Sequence, residues 1–474
     1  MNKPIFAALA AALLLLQSLP AAGQPSDEDL GDAERQEVYD AFRQEFGAGR
    51  FRSALPLAQR LVDLLEAQAP DSEQLPTAYN NLGAAQWRTG DLAGAEESFS
   101  RALELLERTQ GIASRRLIAP LAGLAVVYGE QGEHARAAET LQRAIAVSRR
   151  AEGLFNLEQL DLVEPLVRSL EALGLLDDVE RELRFSLQIV QKRYGVDDPR
   201  SLPATVRLAK LYEETGRYPA ARALWAHSAK IGSREGGGLN AATINGLLGI
   251  ARTHRLQYLR DPESLVDTTL VDPVTGRQDL MAIVPSRPRV ARLDPDGEAA
   301  ALRAYEILGT AADPPRALEI SVALELGDWY TTGREPDKAQ PYYARAWQLL
   351  EASLEPGQTN ALAVPRPVAY RAPSYSYLHL ANPDVRTVAR EMEFSLTVAE
   401  TGEVTDVVPL SAQATENQVE AVQRALRKAW FSPRFEEGRA VRTEGFLFKE
   451  HWHEIAPPEP EPGEETDATS EEEP

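Results

Sequence analysis

The sequence predicts a mainly α-helical chain: an α-solenoid of repeated helical hairpins, followed by a small α+β domain built as an antiparallel sheet with one helix. Three observations predict it. Gly90, Gly132, Gly174 and Gly216 recur every 42 residues, and a fixed period of this size marks stacked supersecondary units. Around these glycines the same side-chain classes return. Further on, Met392, Phe394, Leu396 and Val398 alternate with Glu391, Glu393, Ser395 and Thr397, which is the period of a half-buried strand and not of a helix.

Taken in order, residues 1–23 have the three parts of an export signal: Lys3, an apolar run from Ile5 to Leu16, and small residues from Ser18 to Gly23 suited to cleavage before Gln24. The run is shorter than the roughly 20 residues that span a bilayer, so cleavage is expected to leave no integral membrane segment. Export of a cysteine-free chain built of helical repeats points to the periplasm of a Gram-negative cell. An irregular helix pair is expected over residues 33–67, where Phe46, Gly49-Arg50-Phe51, Ala54, Leu57 and Leu61 imitate a hairpin one step early. Such atypical terminal repeats act as caps, because the outermost helix has water on one side.

The second hairpin reads Leu82-Gly83, Gly90-Asp91-Leu92, Ala95, Phe99, Ala102. The third reads Leu124-Ala125, Tyr128, Gly132, Ala137, Leu141, Ala144, and the fifth Leu208-Ala209, Tyr212, Gly216-Arg217-Tyr218, Ala221, Trp225, Ser228. Glycine ends each first helix because the residue past a C-terminus adopts positive φ. The small residues let two helix axes approach. The fourth hairpin, around Gly174, keeps Leu166, Leu170, Val179 and Leu183 and loses the small residues. Together these residues resemble the tetratricopeptide repeat, in its long, kinesin-light-chain-like form. The common repeat has about 34 residues, and the surplus falls in the helices and in joints such as Tyr194-Gly195-Val196-Asp197-Asp198-Pro199. These repeats are assigned to residues 33–260.

Residues 261–296 interrupt the period with a segment rich in Asp, Pro and Thr, read as an inserted arm packed on the array, with two short strands at 264–271 and 277–284. A helix resumes at Gly297. The last hairpin, within residues 297–355, repeats the spacing with Leu326-Gly327, Tyr330, Gly333, Ala339, Tyr343 and Ala346. Residues 356–373 read as a proline-rich linker, so the array is expected to fold without the C-terminal domain.

In residues 374–455 the alternating strand turns through Glu400-Thr401-Gly402-Glu403 into a second strand over 404–410. Thr415 and Gln418 form a capping box for a helix with Val419, Val422, Leu426 and Ala429 on its apolar face. Residues 430–434 end that helix, Gly438 turns the chain, and 441–452 supply a third strand. The residues Thr401-Gly402-Glu403-Val404, Trp430-Phe431-Ser432-Pro433 and Gly438, in this order, resemble the C-terminal domain of TonB-type energy transducers. The resemblance implies a small sheet with one helix, able to bind a partner's extended segment along a sheet edge. Two strands are candidates for that edge, 441–452 and 391–398, the former preferred, with Phe446 and Phe448 as partner-binding residues. Residues 456–474 are acidic and lack large apolar side chains, and are expected to be disordered.

A net charge of −22 with no basic stripe argues against a nucleic-acid partner. Without cysteine there is no disulfide, thiolate site or thiol nucleophile. No serine sits in a nucleophile elbow, and Gly236-Gly237-Gly238 lacks the lysine of a phosphate loop. His451 and His453 share one side of a strand as a metal pair does, but no third ligand accompanies them. No enzyme activity, metal or cofactor is expected. Binding signals are stronger. The first-helix positions that line a concave groove are Asn80, Ala84 and Trp87, then Glu164, Arg168 and Glu171, then Lys210 and Glu213. Trp87 reads either as an anchor for a partner or as packing on a neighbouring helix. The expectation is an exported, non-enzymatic interaction scaffold of the bacterial envelope, binding protein partners through this groove (Asn80, Trp87, Arg168, Lys210) and the sheet edge (Phe446, Phe448). The alternative is an accessory of outer-membrane receptor-dependent transport. The oligomeric state is left open.

Overall fold

The computed structural model describes residues 27–235, 239–260, 293–355, 357–372 and 387–455. The export signal, the strands expected within the insertion, the three-glycine segment and the acidic tail lie outside the described residues. The chain divides into two units, residues 1–208 and 209–474.

The first unit holds α1 (Asp27–Gly47), α2 (Phe51–Gln68), α3 (Leu75–Thr89), α4 (Leu92–Gln110), α5 (Ile118–Glu130), α6 (His134–Glu152), α7 (Leu160–Ala172), α8 (Leu176–Tyr194) and the start of α9 (Leu202–Glu214). Helix ends obey a finer rule than the hairpin period. Gly90, Gly111, Gly132, Gly153, Gly174, Gly195 and Gly216 all have positive φ, one every 21 residues, so every helix in the series stops at a glycine. Two backbone states alternate. Gly90, inside a hairpin, has φ 92° and ψ 5°, the left-handed cap; Gly111 and Gly153, between hairpins, have φ 80° and ψ 168° and φ 90° and ψ 160°, a region open to glycine almost alone. Three residues beyond each glycine of the second kind stand Ser114, Asn156 and Asp198, with Ser72 one hairpin period earlier beyond Ala69, and each side chain accepts a backbone N–H two or three residues on. The joints are therefore as repetitive as the helices.

Packing within a hairpin sets a small residue on the first helix against a large one on the second. A Cβ at Gly83 would stand 2.9 Å from the Phe99 ring, and Phe99 is fully buried. In the fourth hairpin the corresponding positions hold Val167 and Leu183, both buried. The lost small residue is matched there by a smaller partner, which conserves volume.

The second unit continues with the rest of α9, α10 (Tyr218–Glu235), α11 (Ala241–Leu259), α12 (Pro295–Gly309), α13 (Arg316–Thr332) and α14 (Pro336–Glu351). As expected, α12 completes the interrupted hairpin: Ile244, Leu248 and Ala251 share a core with Ala301, Ala304 and Leu308. In the last hairpin Gly327 lies under the Tyr343 ring. The turn differs from the sequence reading. Gly333 caps α13 with a helical φ of −73°, and the left-handed residue is Arg334, at φ 60°, seven residues past Gly327 as Gly90 is seven past Gly83.

The C-terminal part of this unit has β1 (Arg366–Ala369), β2 (Thr387–Val398), β3 (Val404–Ala412), α15 (Glu416–Leu426), β4 (Trp430–Ser432), β5 (Arg434–Glu436), β6 (Arg439–Val441) and β7 (Thr443–Ile455). The main sheet is antiparallel in the order β3-β2-β7. Met392, Phe394, Leu396 and Val398 of β2 meet Val422 and Leu426 of α15 in a core of their own, and the Thr415–Gln418 capping box is present. Three details correct the sequence reading. β1 lies inside the stretch read as linker and pairs with β4. Trp430 begins that strand and does not end the helix. β2 is the central strand, which removes residues 391–398 as an edge.

The β5–β6 hairpin turns on Glu437 and Gly438, both at positive φ, and packs onto the last helical hairpin. Phe435 is 2 % exposed, stacks edge-on against Tyr343 with centroids 6.2 Å apart, and donates its backbone N–H to Leu362 O at 2.8 Å. Arg366 of β1 pairs with Asp328 of α13 at 2.5 Å. The β5–β6 hairpin and the last helical hairpin thus share a core where the sequence suggested a free joint.

Candidate partner-binding surfaces

The groove residues separate by burial. Trp87 is only 8 % exposed and donates its indole N–H to Glu130 Oε1 at 2.9 Å, tying α3 to α5. It is packing, not an open anchor, because the first helices stand close enough for one indole to bridge them. Asn80 is buried too, and its side-chain oxygen has no hydrogen-bond partner among the described residues. Glu171 is held by Arg207 through both carboxylate oxygens, at 2.7 and 2.8 Å. Arg168 is half-buried beside Leu166 and Val167, and Glu164 is half-buried. In the second unit Lys210 is exposed. Glu213 is taken up by the Trp225 indole and by Arg252 at 2.9 Å. Of the four groove candidates, Arg168 and Lys210 therefore present polar surface, and Asn80 and Trp87 do not.

On the sheet, period-two geometry decides which side chains face out. Phe446 pairs with Leu396 and Phe448 with Phe394, both buried, so the two phenylalanines point inward; each packs edge-on against Phe431 at about 6 Å. They belong to the sheet core and not to its partner-facing side. The outward residue between them is Leu447, 61 % exposed. Val408 on β3, 45 % exposed, lies across Ser395 from Leu447, and Lys449 bridges Glu391 and Glu393 at 2.7 and 2.8 Å on the same face.

Sequence reading missed one charged cluster in the second unit. Arg255 of α11, 7 % exposed, binds Glu325 at 3.0 Å and Asp328 at 3.5 Å, and Tyr343 donates its hydroxyl to Asp328 at 2.8 Å. Burial works against the Arg255 charge, and the two carboxylates more than offset it, so its pKa stands raised. Burial also raises the Glu325 pKa, with Arg255 opposing. The cluster ties α11, α13, α14 and β1 together. Among the described residues no group of His, Asp or Glu is placed to hold a metal ion, and no helix is long and apolar enough to cross a membrane.

Residues 44–108 and 74–150 match the tetratricopeptide-repeat family. No curated protein matches the sequence. Among solved structures, the chain is similar to nearly identical TPR-like repeats from Podosopora anserina described as kinesin light chain, at 18% identity over 42% of this chain and 96% of that one, TM-score 0.39. It is also similar to BtubC (BKLC) from P. vanneervenii, at 16% identity, 56% and 94% coverage and TM-score 0.38. The C-terminal part of a TPR repeat-containing protein from Cytophaga hutchinsonii gives 13%, 67% and 96%, with TM-score 0.41. These overlaps are loose, and the fold rests on the repeats of this chain itself. The helical part of the protein is a tetratricopeptide-repeat solenoid, and a small antiparallel sheet comes after it.

Proposed function

We propose that the protein is an exported, non-enzymatic interaction scaffold of the bacterial envelope. Tetratricopeptide repeats serve as protein-binding scaffolds, and the export signal read in residues 1–23 supports the envelope. The observation that carries the finer reading is β7. It is a thirteen-residue strand with β2 on one side and no strand on the other among the described residues, and it presents Leu447 outward. Such an edge offers a row of backbone groups to an extended partner segment, which is also what the resemblance to TonB-type C-terminal domains implies. Groove binding falls to the half-buried Arg168 and the exposed Lys210.

Photo-cross-linkers placed in cells at Leu447, at Lys210 and at exposed Glu104 as a control test this. The expected result is a discrete adduct with an envelope protein from Leu447 that the control lacks; an outer-membrane receptor in that adduct would select the transport-accessory reading. Equal, diffuse labelling from all three positions would end the edge proposal. N-terminal sequencing of the protein from a periplasmic fraction should begin at Gln24. Recovery with Met1 in place, in salt-washed membranes, would end the export proposal.

A further inference from the structure

The joints between hairpins of the first unit carry a second periodic feature, unrelated to the groove or the sheet. The residue after each joint glycine is a large aliphatic: Ile112, Leu154 and Val196, one hairpin period apart. They are 69, 51 and 44 % exposed. Four residues before each stands a cation in the last turn of the second helix, Arg108, Arg150 and Lys192, and all three are exposed. Arg108 and Arg150 form no ion pair among the described residues; the Lys192 ammonium lies 3.5 Å from the Phe155 ring centre. Cations at these positions complement the helix dipoles. That accounts for a basic row, and leaves unexplained three aliphatic side chains kept in water on the same edge.

Two exposed series that recur in step at the joints, one aliphatic and one cationic, in a chain of net charge −22 select their occupant by chemistry. An interface that two proteins make through side chains is built around a fully buried apolar centre. Here the aliphatic tips are separated by polar groups: Arg115 joins Glu158 at 2.5 Å and Glu152 at 3.3 Å between the joints of Ile112 and Leu154. A bilayer surface needs no contiguity. It takes aliphatic tips singly into the headgroup boundary, and anionic headgroups attract each cation beside them. We propose that this edge of the first unit rests on a lipid surface bearing anionic headgroups, with Ile112, Leu154 and Val196 inserted and Arg108, Arg150 and Lys192 facing the phosphates. The preceding joint has Glu66 and Pro70 at the two positions, so the contact begins at the second joint.

The test is co-sedimentation of residues 24–474, which keep every described residue, with vesicles of phosphatidylcholine alone or mixed equally with phosphatidylglycerol. Binding is expected to the mixed vesicles and to fall with salt. The variant Ile112→Ser/Leu154→Ser/Val196→Ser should melt with the parent, since all three side chains are exposed, and bind at least about tenfold more weakly. Replacing Arg108, Arg150 and Lys192 by Ser should weaken binding on the order of a hundredfold. Should the aliphatic variant lose stability, Ile112→Ser alone carries the comparison. The proposal is overturned if the parent ignores anionic vesicles, if the aliphatic variant binds as the parent does, or if sedimentation velocity without lipid shows self-association that this variant abolishes.

Discussion

At the scale of single residues, backbone state makes glycine at one helix end worth more than at the next. A Cβ at Gly90 or Gly111 meets nothing within 4 Å, so alanine there probes conformation alone. Gly90→Ala should cost about 1 kcal/mol, the price of a left-handed alanine, and Gly111→Ala up to about 3 kcal/mol, because its ψ of 168° is nearly closed to other residues; urea titration checks both. Conversely Arg334 occupies a left-handed position, and Arg334→Gly should stabilise by up to about 1 kcal/mol. Arg255→Met leaves the carboxylates of Glu325 and Asp328 buried with less compensation and should cost about 3–5 kcal/mol at neutral pH. The carboxyl sets the sign with pH. Burial raises the native Glu325 pKa above 4.5, so protonation relieves the folded state more than the unfolded one. Without Arg255 that pKa rises further, and the deficit of the variant should shrink as pH falls from neutral toward 4.5. A deficit that widens over this window would contradict the assignment.

At the scale of elements, the β5–β6 hairpin closes the last helical hairpin with Phe435, so Phe435→Ala should cost about 3–5 kcal/mol and lower one melting transition that near-ultraviolet dichroism reports for sheet and helices together. Ending the chain after Gly357 should likewise destabilise α13 and α14, since the fully buried Tyr343 loses its cover. A truncated chain that melts as the parent does would restore the free joint. How far this was legible from sequence divides along physical lines. Helices with an apolar stripe and a glycine stop were readable, as was the β2 alternation, because each signal is local. The strand at Arg366–Ala369 was not, since prolines beside it mimic a linker and its pairing with residues 430–432 is long-range. The groove was legible as positions but not as exposure: whether Trp87 faces water depends on Glu130, 43 residues away. Phe446 and Phe448 were placed on the right strand, but which side of the sheet they face follows only from their pairing with Leu396 and Phe394. Arg255 left a trace of its own, a charge at core spacing from Leu248 and Ala251.

At the scale of the whole chain, each hairpin carries its own complementary pair: Gly83 with Phe99, Gly327 with Tyr343. Deleting residues 154–195 removes one whole hairpin, from one joint glycine to the next, and leaves every remaining pair intact, so the shortened chain should still unfold cooperatively, at a lower midpoint. Deleting residues 133–153 removes half a period, sets first-helix faces where second-helix faces belong, and should abolish the cooperative transition. Because fit is settled inside the hairpin and the joint glycines are interchangeable, a gene encoding this protein can gain or lose repeats by unequal recombination at single 126-base steps without first inventing a compensating core substitution. Reach along the array is then open to natural selection separately from stability, and lineages carrying different numbers of hairpins would each inherit a working interior.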